Sequence, residues 1–318
     1  MKRLQIAGRS RQGKQRILAG LLILSLLAAV AFGLAGRKSV KAGLDWTMIN
    51  VNATKQQADA HLIRIQNGRT VLIDAGHRNT ARSMLLPFLR AQHINKIDDV
   101  FITHPHVDHY GGVEYLLANG IRIGHIYFNL PDREQCDAEI PWGCNYRDVL
   151  TVRNIYAKYG VTPRIARPGQ KFILGPYAWL EILFAYDGIH TPVGKTDIND
   201  MSLVMMLHLG KWKALFTGDL DRKIGGYVAR FPELIQADIL KVPHHGCEST
   251  VPDAFFAAVD PDYALVPAPG GLWLSKRSQR IRNWFSAHAI PVYVNGLVGH
   301  VHVQLRGDTC TVNTQHGP

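Results

Sequence analysis

No aspartate or glutamate occurs in the first 41 residues, where nine basic side chains stand: Lys2, Arg3, Arg9, Arg11, Lys14, Arg16, Arg37, Lys38 and Lys41. Of 36 lysines and arginines overall, that leaves 27 to face 25 acidic residues in the rest of the chain, so the formal net charge of +11 belongs mainly to this leader. A body so nearly neutral excludes a long cationic track and leaves nucleic acid only weakly supported as a partner. Cysteine is scarce as well. The four cysteines show no CxxC spacing, which excludes a zinc knuckle. Internal repeats and low-complexity linkers are absent, so a single packed domain is the economical expectation after the leader. A hydrophobic share of 47% with 19% charged residues fits such a globule and argues against disorder.

Charge is missing from a second place. Residues 17–35 form a run of 19 uncharged residues, ILAGLLILSLLAAVAFGLA. As a helix at about 1.5 Å per residue this run spans roughly 28 Å, close to a bilayer core. Six cationic residues precede it and three follow. The positive-inside rule therefore puts residues 1–16 in the cytoplasm as a basic leader, 17–35 in the cytoplasmic membrane as a signal anchor, and everything after Arg37 outside. Residues 36–45 are expected as a linker and 46–318 as an extracytoplasmic, periplasmic domain. The rival is a cleaved signal peptide processed near Val40-Lys41-Ala42, which would make the domain secreted. An oxidising compartment suits Cys136 and Cys144, which bracket the loop-like stretch CDAEIPWGC; they form either a local disulfide or two free thiols.

Short apolar runs alternate with amphipathic segments from residue 46 onward. WTMINV (46–51), HLIRI (61–65) and TVLIDAG (70–76) read as opening strands, with Asn67-Gly68 as the turn between the last two. Helical periodicity covers 78–92, a buried strand 98–104 and a helix 111–120 closed by glycine. A strand and the cysteine loop fill 125–145, and a helix 146–159. The second half reads as strands at 179–185, 202–210, 213–219, 237–243 and 262–267, with helices at 222–231, 252–259 and 276–288. Two strand-rich halves, each carrying helices, imply an α/β (α+β) fold with two sheets face to face, an αββα sandwich.

The chemistry concentrates in Thr103-His104-Pro105-His106-Val107-Asp108-His109-Tyr110-Gly111-Gly112. Imidazole nitrogen and carboxylate oxygen are the donors that zinc and similar divalent ions accept. Alternate positions of an extended segment point the same way, so His104 and His106 can grip one ion. Asp108 and His109, where the chain turns into a helix, can grip a second.

This H-x-H-x-D-H-Tyr-Gly-Gly stretch resembles the signature of the metallo-β-lactamase superfamily, and the likeness extends in element order over roughly residues 47–305. The resemblance implies that Asp74, ending LIDAG, orients the ligand loop from a second shell. It implies that Asp219, ending FTGD, bridges two ions, and that His245, before Gly246, is a ligand. His244 is then a second-shell residue or a proton donor, with the two histidines exchanging roles as the alternative. The run Asn199-Asp200-Met201-Ser202-Leu203-Val204, then FTGD, then LKVPHHG, is similar to the hydrolase domain of the ComEC competence family. In that group Asn199 or Asp200 stands where other members place a further metal-binding histidine, as a weak ligand. His190, in a loop, is a spare candidate, whereas His208 on a strand reads as structural. Three stretches depart from the competence pattern: Asn50 to Asp59 in place of an Asp-Val-Gly-Gln-Gly-Asp run, Cys247 in place of serine, and Pro269 to Leu274 in place of an Asn-x-x-Gly-His-Pro loop.

The expected cofactor is one or two divalent metal ions, zinc first and manganese second. The expected reaction is attack of a metal-activated hydroxide on a phosphodiester, small or polymeric, with Asp108 and His244 as catalytic side chains. Hydrolysis of C–N or ester bonds, as in lactams and lactones, is the alternative enzyme reading; an apolar cleft lined by Trp142, Trp273 and Tyr110, without convergent lysine or arginine, would favour it. A non-catalytic anchored binding module is the third.

Overall fold

The computed structural model describes residues 43–52, 56–138, 144 and 146–317. Residues 42–318 form one compact unit. The expected membrane segment, 17–35, lies outside the described residues. Among the described residues no helix is long and apolar enough to cross a membrane.

Among the described residues fourteen strands make two seven-stranded sheets. The first contains β1 (Gly43–Met48), β2 (His61–Ile65), β3 (Thr70–Ile73), β4 (Lys96–Ile102), β5 (Arg122–Phe128), β13 (Val301–Arg306) and β14 (Thr309–Thr314), in the order β14-β13-β1-β2-β3-β4-β5. The second contains β6 (Lys171–Gly175), β7 (Ala178–Phe184), β8 (Val204–Leu209), β9 (Trp212–Phe216), β10 (Ile239–Lys241), β11 (Tyr263–Pro269) and β12 (Val292–Val294), in the order β12-β11-β10-β9-β8-β7-β6.

The period of two in the strands decides how these sheets pack. Trp46, Ile63, Val71, Ile73 and Phe101 point from the first sheet into a shared core with Leu180, Met205, Leu207 and Phe216 of the second. The intervening Leu62, Leu72, Val100 and Ile102 point the other way, into a core beneath helices that include Val113–Ala118. Val204, Met206, Leu215, Leu240 and Val266 do the same on the second sheet, under Arg222–Val228, Asp253–Val259 and Gln279–Ala287. Strands buried on both faces read as continuous apolar runs, and the result is the expected αββα sandwich. Each buried aromatic in the central layer stabilises it by about 1.5–3 kcal/mol.

Several expected boundaries shift. Gly43–Asp45 belong to β1, whose residues pair with Arg306 to Val301 of β13, so these three residues are strand rather than linker. The turn at Asn67-Gly68 is present, joining antiparallel β2 and β3. Helix 111–120 starts earlier, as Val107–Tyr110, and resumes at Val113 after two glycines. The break lets the chain pass close to its neighbour, because a Cβ on Gly112 would lie 2.1 Å from the Ala75 carbonyl oxygen. β6 carried no sequence expectation; its pattern of exposure suits an edge strand pairing only with β7. The cysteine loop includes the helix Arg133–Ala138, and Cys136 is disulfide-bonded to Cys144.

Strand direction places the loops that matter. Asp74 follows β3, residues 103–109 follow β4, Asp219 follows β9, and His244 and His245 follow β10. β3 runs parallel to β4, and β9 to β10, so all four loops emerge at carboxyl ends on one rim of the sandwich. Gly43, at the start of β1, lies at the other rim, where its carbonyl accepts from the Gln66 N–H.

Candidate metal centre

Four donor groups from three loops meet on that rim. One ligand atom from each of Asp108, His109, Asp219 and His245 lies within 4.8 Å of the others. His245 Nε2 is 3.0 Å from Asp219 Oδ2 and 3.5 Å from Asp108 Oδ2, and His109 Nε2 is 3.3 Å from Asp219 Oδ2. Among the described residues the Nε2 atoms of His106, His109 and His245 are buried and find no hydrogen-bond partner. Buried polar atoms left in that condition are costly unless something else binds them, and a divalent cation supplies what these lone pairs need.

Both histidines of the group are held from behind. Asp74 Oδ2 accepts from His109 Nδ1 at 2.8 Å, and its two oxygens also accept from the Thr103 N–H at 2.8 Å and hydroxyl at 2.9 Å. His245 Nδ1 donates to the Pro267 carbonyl at 2.8 Å. Both arrangements leave Nε2 facing the cluster, as expected for a metal-binding imidazole. Asp74, His244 and His245 all adopt left-handed backbone (φ 58°, 46° and 53°), a conformation that L-residues hold only when surrounding contacts impose it. The turn into Asp219 uses Gly218 at φ 50°, where a Cβ would meet Ser202 and Thr103.

Electrostatics separate two kinds of histidine. Burial holds His104 and His106 below the ordinary imidazole range, His104 the more strongly, so both are neutral donors. Burial also penalises charged His109 and His245, but the carboxylates together outweigh it, Asp219 first, with Asp74 at His109 and Asp108 at His245. His245 is pushed up to about 10. Burial opposes ionisation of Asp108 and Asp219 too, yet the neighbouring imidazoles keep both carboxyls below their usual range. The pocket is thus built for positive charge among carboxylates.

His104 and His106 sit beside this group but outside it. His104 Nε2 lies 3.1 Å from His106 Nδ1, and the His104 ring centroid is 4.1 Å from that of His109. His244 stands further back: Nε2 is 4.0 Å from Asp219, while Nδ1 is 2.7 Å from Asp221 Oδ1. Burial disfavours its charge, but Asp221, Cys247 and Asp219 hold it well above the usual range. Asn199 lines the cavity; Asp200 instead accepts from the Asp221 N–H at 3.0 Å. Burial pushes Asp200 up to about 8, so it is a poor anionic ligand. Neither joins the four-donor group. His190 is exposed and bonded to Asp187, and His208 stacks on Trp179.

Besides Asp221, two further site residues carried no sequence expectation as partners. Lys241 is buried in β10, with Nζ 2.5 Å from Asp59 Oδ2, 2.7 Å from the Gly218 carbonyl and 3.5 Å from Asp219 Oδ1. Asp59 Oδ1 in turn lies 3.6 Å from His245 Nδ1. Burial disfavours the Lys241 ammonium, but Asp59 and Asp219 raise its pKa above the ordinary lysine value. One signal was available: a lysine between Leu240 and Val242, in a strand flanked on both edges, has to be paired.

The model of the metallo-β-lactamase superfamily matches residues 53–270. The chain belongs to that superfamily. Recombination protein 2 of Haemophilus influenzae is 26% identical over 213 residues, covering 66% of this chain and 22% of the relative. ComE operon protein 3 of Bacillus subtilis is 26% identical over 219 residues, covering 66% of this chain and 25% of the relative. Competence protein ComA of Neisseria gonorrhoeae is 24% identical, covering 75% and 29%. The likeness to the competence family read from the motifs is borne out, and the chain spans about a quarter of the length of these relatives. Among solved structures, the metallo-β-lactamase fold protein YhfI from Bacillus subtilis has a TM-score of 0.51 at 14% identity, covering 85% of this chain and 100% of that one. CmlA, a diiron β-hydroxylase from Streptomyces venezuelae, has a TM-score of 0.51 at 15% identity, covering 84% and 54%. These two likenesses establish the superfamily's fold alone. A metallo-hydrolase superfamily and a convergent donor set together support divalent metal binding.

Proposed function

We propose that this metallo-hydrolase cleaves a phosphodiester and works outside the cytoplasmic membrane, held there by residues 17–35. The observation that carries the hydrolase reading is the convergence of Asp108, His109, Asp219 and His245 within 4.8 Å. Similarity to the competence proteins, through Asn199 to Val204, FTGD and LKVPHHG, favours phosphorus over carbon as the centre attacked.

Asp108, His109, Asp219 and His245 would hold the cation, with His104 and His106 available to a second; zinc fits the mixed imidazole and carboxylate set, and manganese is the alternative. Such a cation, when bound, lowers the pKa of water and stabilises charge on phosphoryl oxygens. The chain's own groups do the rest. In hydrolysis a water oxygen joins phosphorus, an ester P–O bond breaks, and the departing oxygen takes a proton. His244 lines the cavity and is fixed by Asp221, whose carboxylate favours the charged imidazole, which suits it to give that proton. Asp74 and Thr103 fix the ring of His109, and Lys241 fixes the inner oxygen of Asp219.

Cleavage of an ester or C–N bond is the second reading, favoured by the apolar part of the cavity wall, where Tyr110 and Leu272 stand. Trp273 is buried against Gly246 rather than lining that wall, and Trp142 lies outside the described residues. Metal analysis of the full-length protein in detergent, with turnover of bis(p-nitrophenyl) phosphate against a chromogenic lactam, separates the two. Phosphodiester turnover is expected, abolished by His106→Ala and by Asp219→Ala with the fold retained; preference for the lactam overturns the choice. Protease added to right-side-out vesicles is expected to degrade the domain, and full protection would refute the outward placement.

A further inference from the structure

The cavity over the metal centre has a volume of about 450 Å³, the size of a site for one small molecule. Its walls are unequal. Pro105, Val107, Tyr110, Val149, Ile198 and Leu272 supply an apolar side. Apart from the donor cluster and His244, its charged lining groups among the described residues are Arg277 and Asp148, both on exposed positions. Arg277 Nε also bonds Glu248, at 2.9 and 3.1 Å to the two carboxylate oxygens. The rim therefore offers one partly neutralised cation and one carboxylate.

A nucleic-acid strand brings one phosphate per roughly 3.4 Å of axis, so a strand crossing even ~10 Å of this mouth carries about three charges. Among the described residues the rim offers only Arg277 to match them. Outside the cavity, beyond Val107, a second surface hollow includes Arg78 and Arg82, but Arg78 is paired with Glu114 at 2.6 Å.

We infer that the substrate is a small phosphodiester with a single negative charge and an apolar or aromatic substituent, and not a polyanionic chain. The scissile group sits over the donor cluster within reach of Arg277, and the substituent lies on the wall formed by Tyr110, Leu272 and their neighbours. This inference rests on the phosphodiester reading given above.

The full-length protein, loaded with zinc or manganese, is tested on bis(p-nitrophenyl) phosphate, methyl p-nitrophenyl phosphate and a 12-residue oligothymidylate. The diaryl ester is expected to exceed the methyl ester by at least ~10-fold in kcat/KM, mainly through KM, as burial of one aromatic group allows. Leu272→Ser, at a half-buried rim position, narrows that gap. Arg277→Gln lowers kcat/KM on both esters by roughly 10-fold or more, the worth of one charged hydrogen bond. Log kcat/KM falls by less than ~1 per decade of salt, the oligonucleotide is the poorest substrate, and Arg82→Ala changes nothing. Preference for the oligonucleotide, with a salt slope of about −2 or steeper and a loss in Arg82→Ala, overturns the inference and leaves the phosphodiester reading standing. Equal use of the two esters in wild type removes the apolar wall from recognition and overturns it as well. Absence of turnover on every phosphodiester refutes both readings together.

Discussion

Two parts of the donor cluster differ in how completely the fold prepares them. Asp108, His109, Asp219 and His245 converge within 4.8 Å; His109, His245 and Asp219 are each fixed by a partner behind them, and the Asp59–Lys241 pair stands beside the group. His104 and His106 stand 3.1 Å apart, neutral, and no third group completes a donor set around them among the described residues. A cation held by the first set meets a prearranged shell; one held by the second depends on Asp219 or on water for the remainder. The two are expected to bind metal with unequal strength, and the largest effects should come from the residue between them.

Asp219→Ala is expected to lower kcat/KM by at least ~10³-fold, from several kcal/mol of lost transition-state stabilisation, and to empty the protein of tightly bound metal. Activity within tenfold of wild type would show that the carboxylate is not shared. Lys241→Met tests the first set's foundations. It leaves Asp59 buried without its ammonium, so urea denaturation should show a loss of about 3–5 kcal/mol, mostly regained when Asp59→Asn is added. An unchanged midpoint would mean that the pair supports nothing. After dialysis, His245→Ala should lose the tightly held ion while His106→Ala keeps it; equal retention in the two variants would erase the distinction. Asp74→Asn, which loosens the ring of His109, should weaken metal affinity by about 10- to 100-fold, read by chelator competition.

A smaller effect lies outside the cluster. Burial and the neighbouring His302 and His316 lower His300 to about 4, against 6.5 for the free side chain. Between those values the unfolded chain binds the extra proton, so stability falls as pH drops from about 6.5 to about 4 and is unaffected above that window. His300 Nδ1 accepts from the Asn50 N–H at 3.0 Å, an acceptor role that glutamine can keep. His300→Gln should flatten the decline in Tm across that window; an identical pH profile would rule the residue out.

The donor groups that converge were legible because each motif directly follows an apolar strand, and strand direction carries all of them to one rim. The three layers were legible for a related reason, since strands buried on both faces lose polar alternation. Asp59 was harder. It ends a stretch, Asn50 to Asp59, that departs from the competence pattern, and its role comes from contacts with Lys241 and His245 that spacing does not show. Asp221 was missed because nothing in spacing links it to His244, 23 positions away. The start of helix Val107–Tyr110 was displaced because Asp108 and His109 are themselves its first turn, so ligand residues and helix start share one segment.

The first strand has a practical corollary. Gly43 lies across the depth of the sandwich from the cavity, paired with Arg306 at the far rim. A tag or surface linker joined ahead of it would leave the mouth open to solution, so immobilised enzyme should keep the kcat/KM of free enzyme.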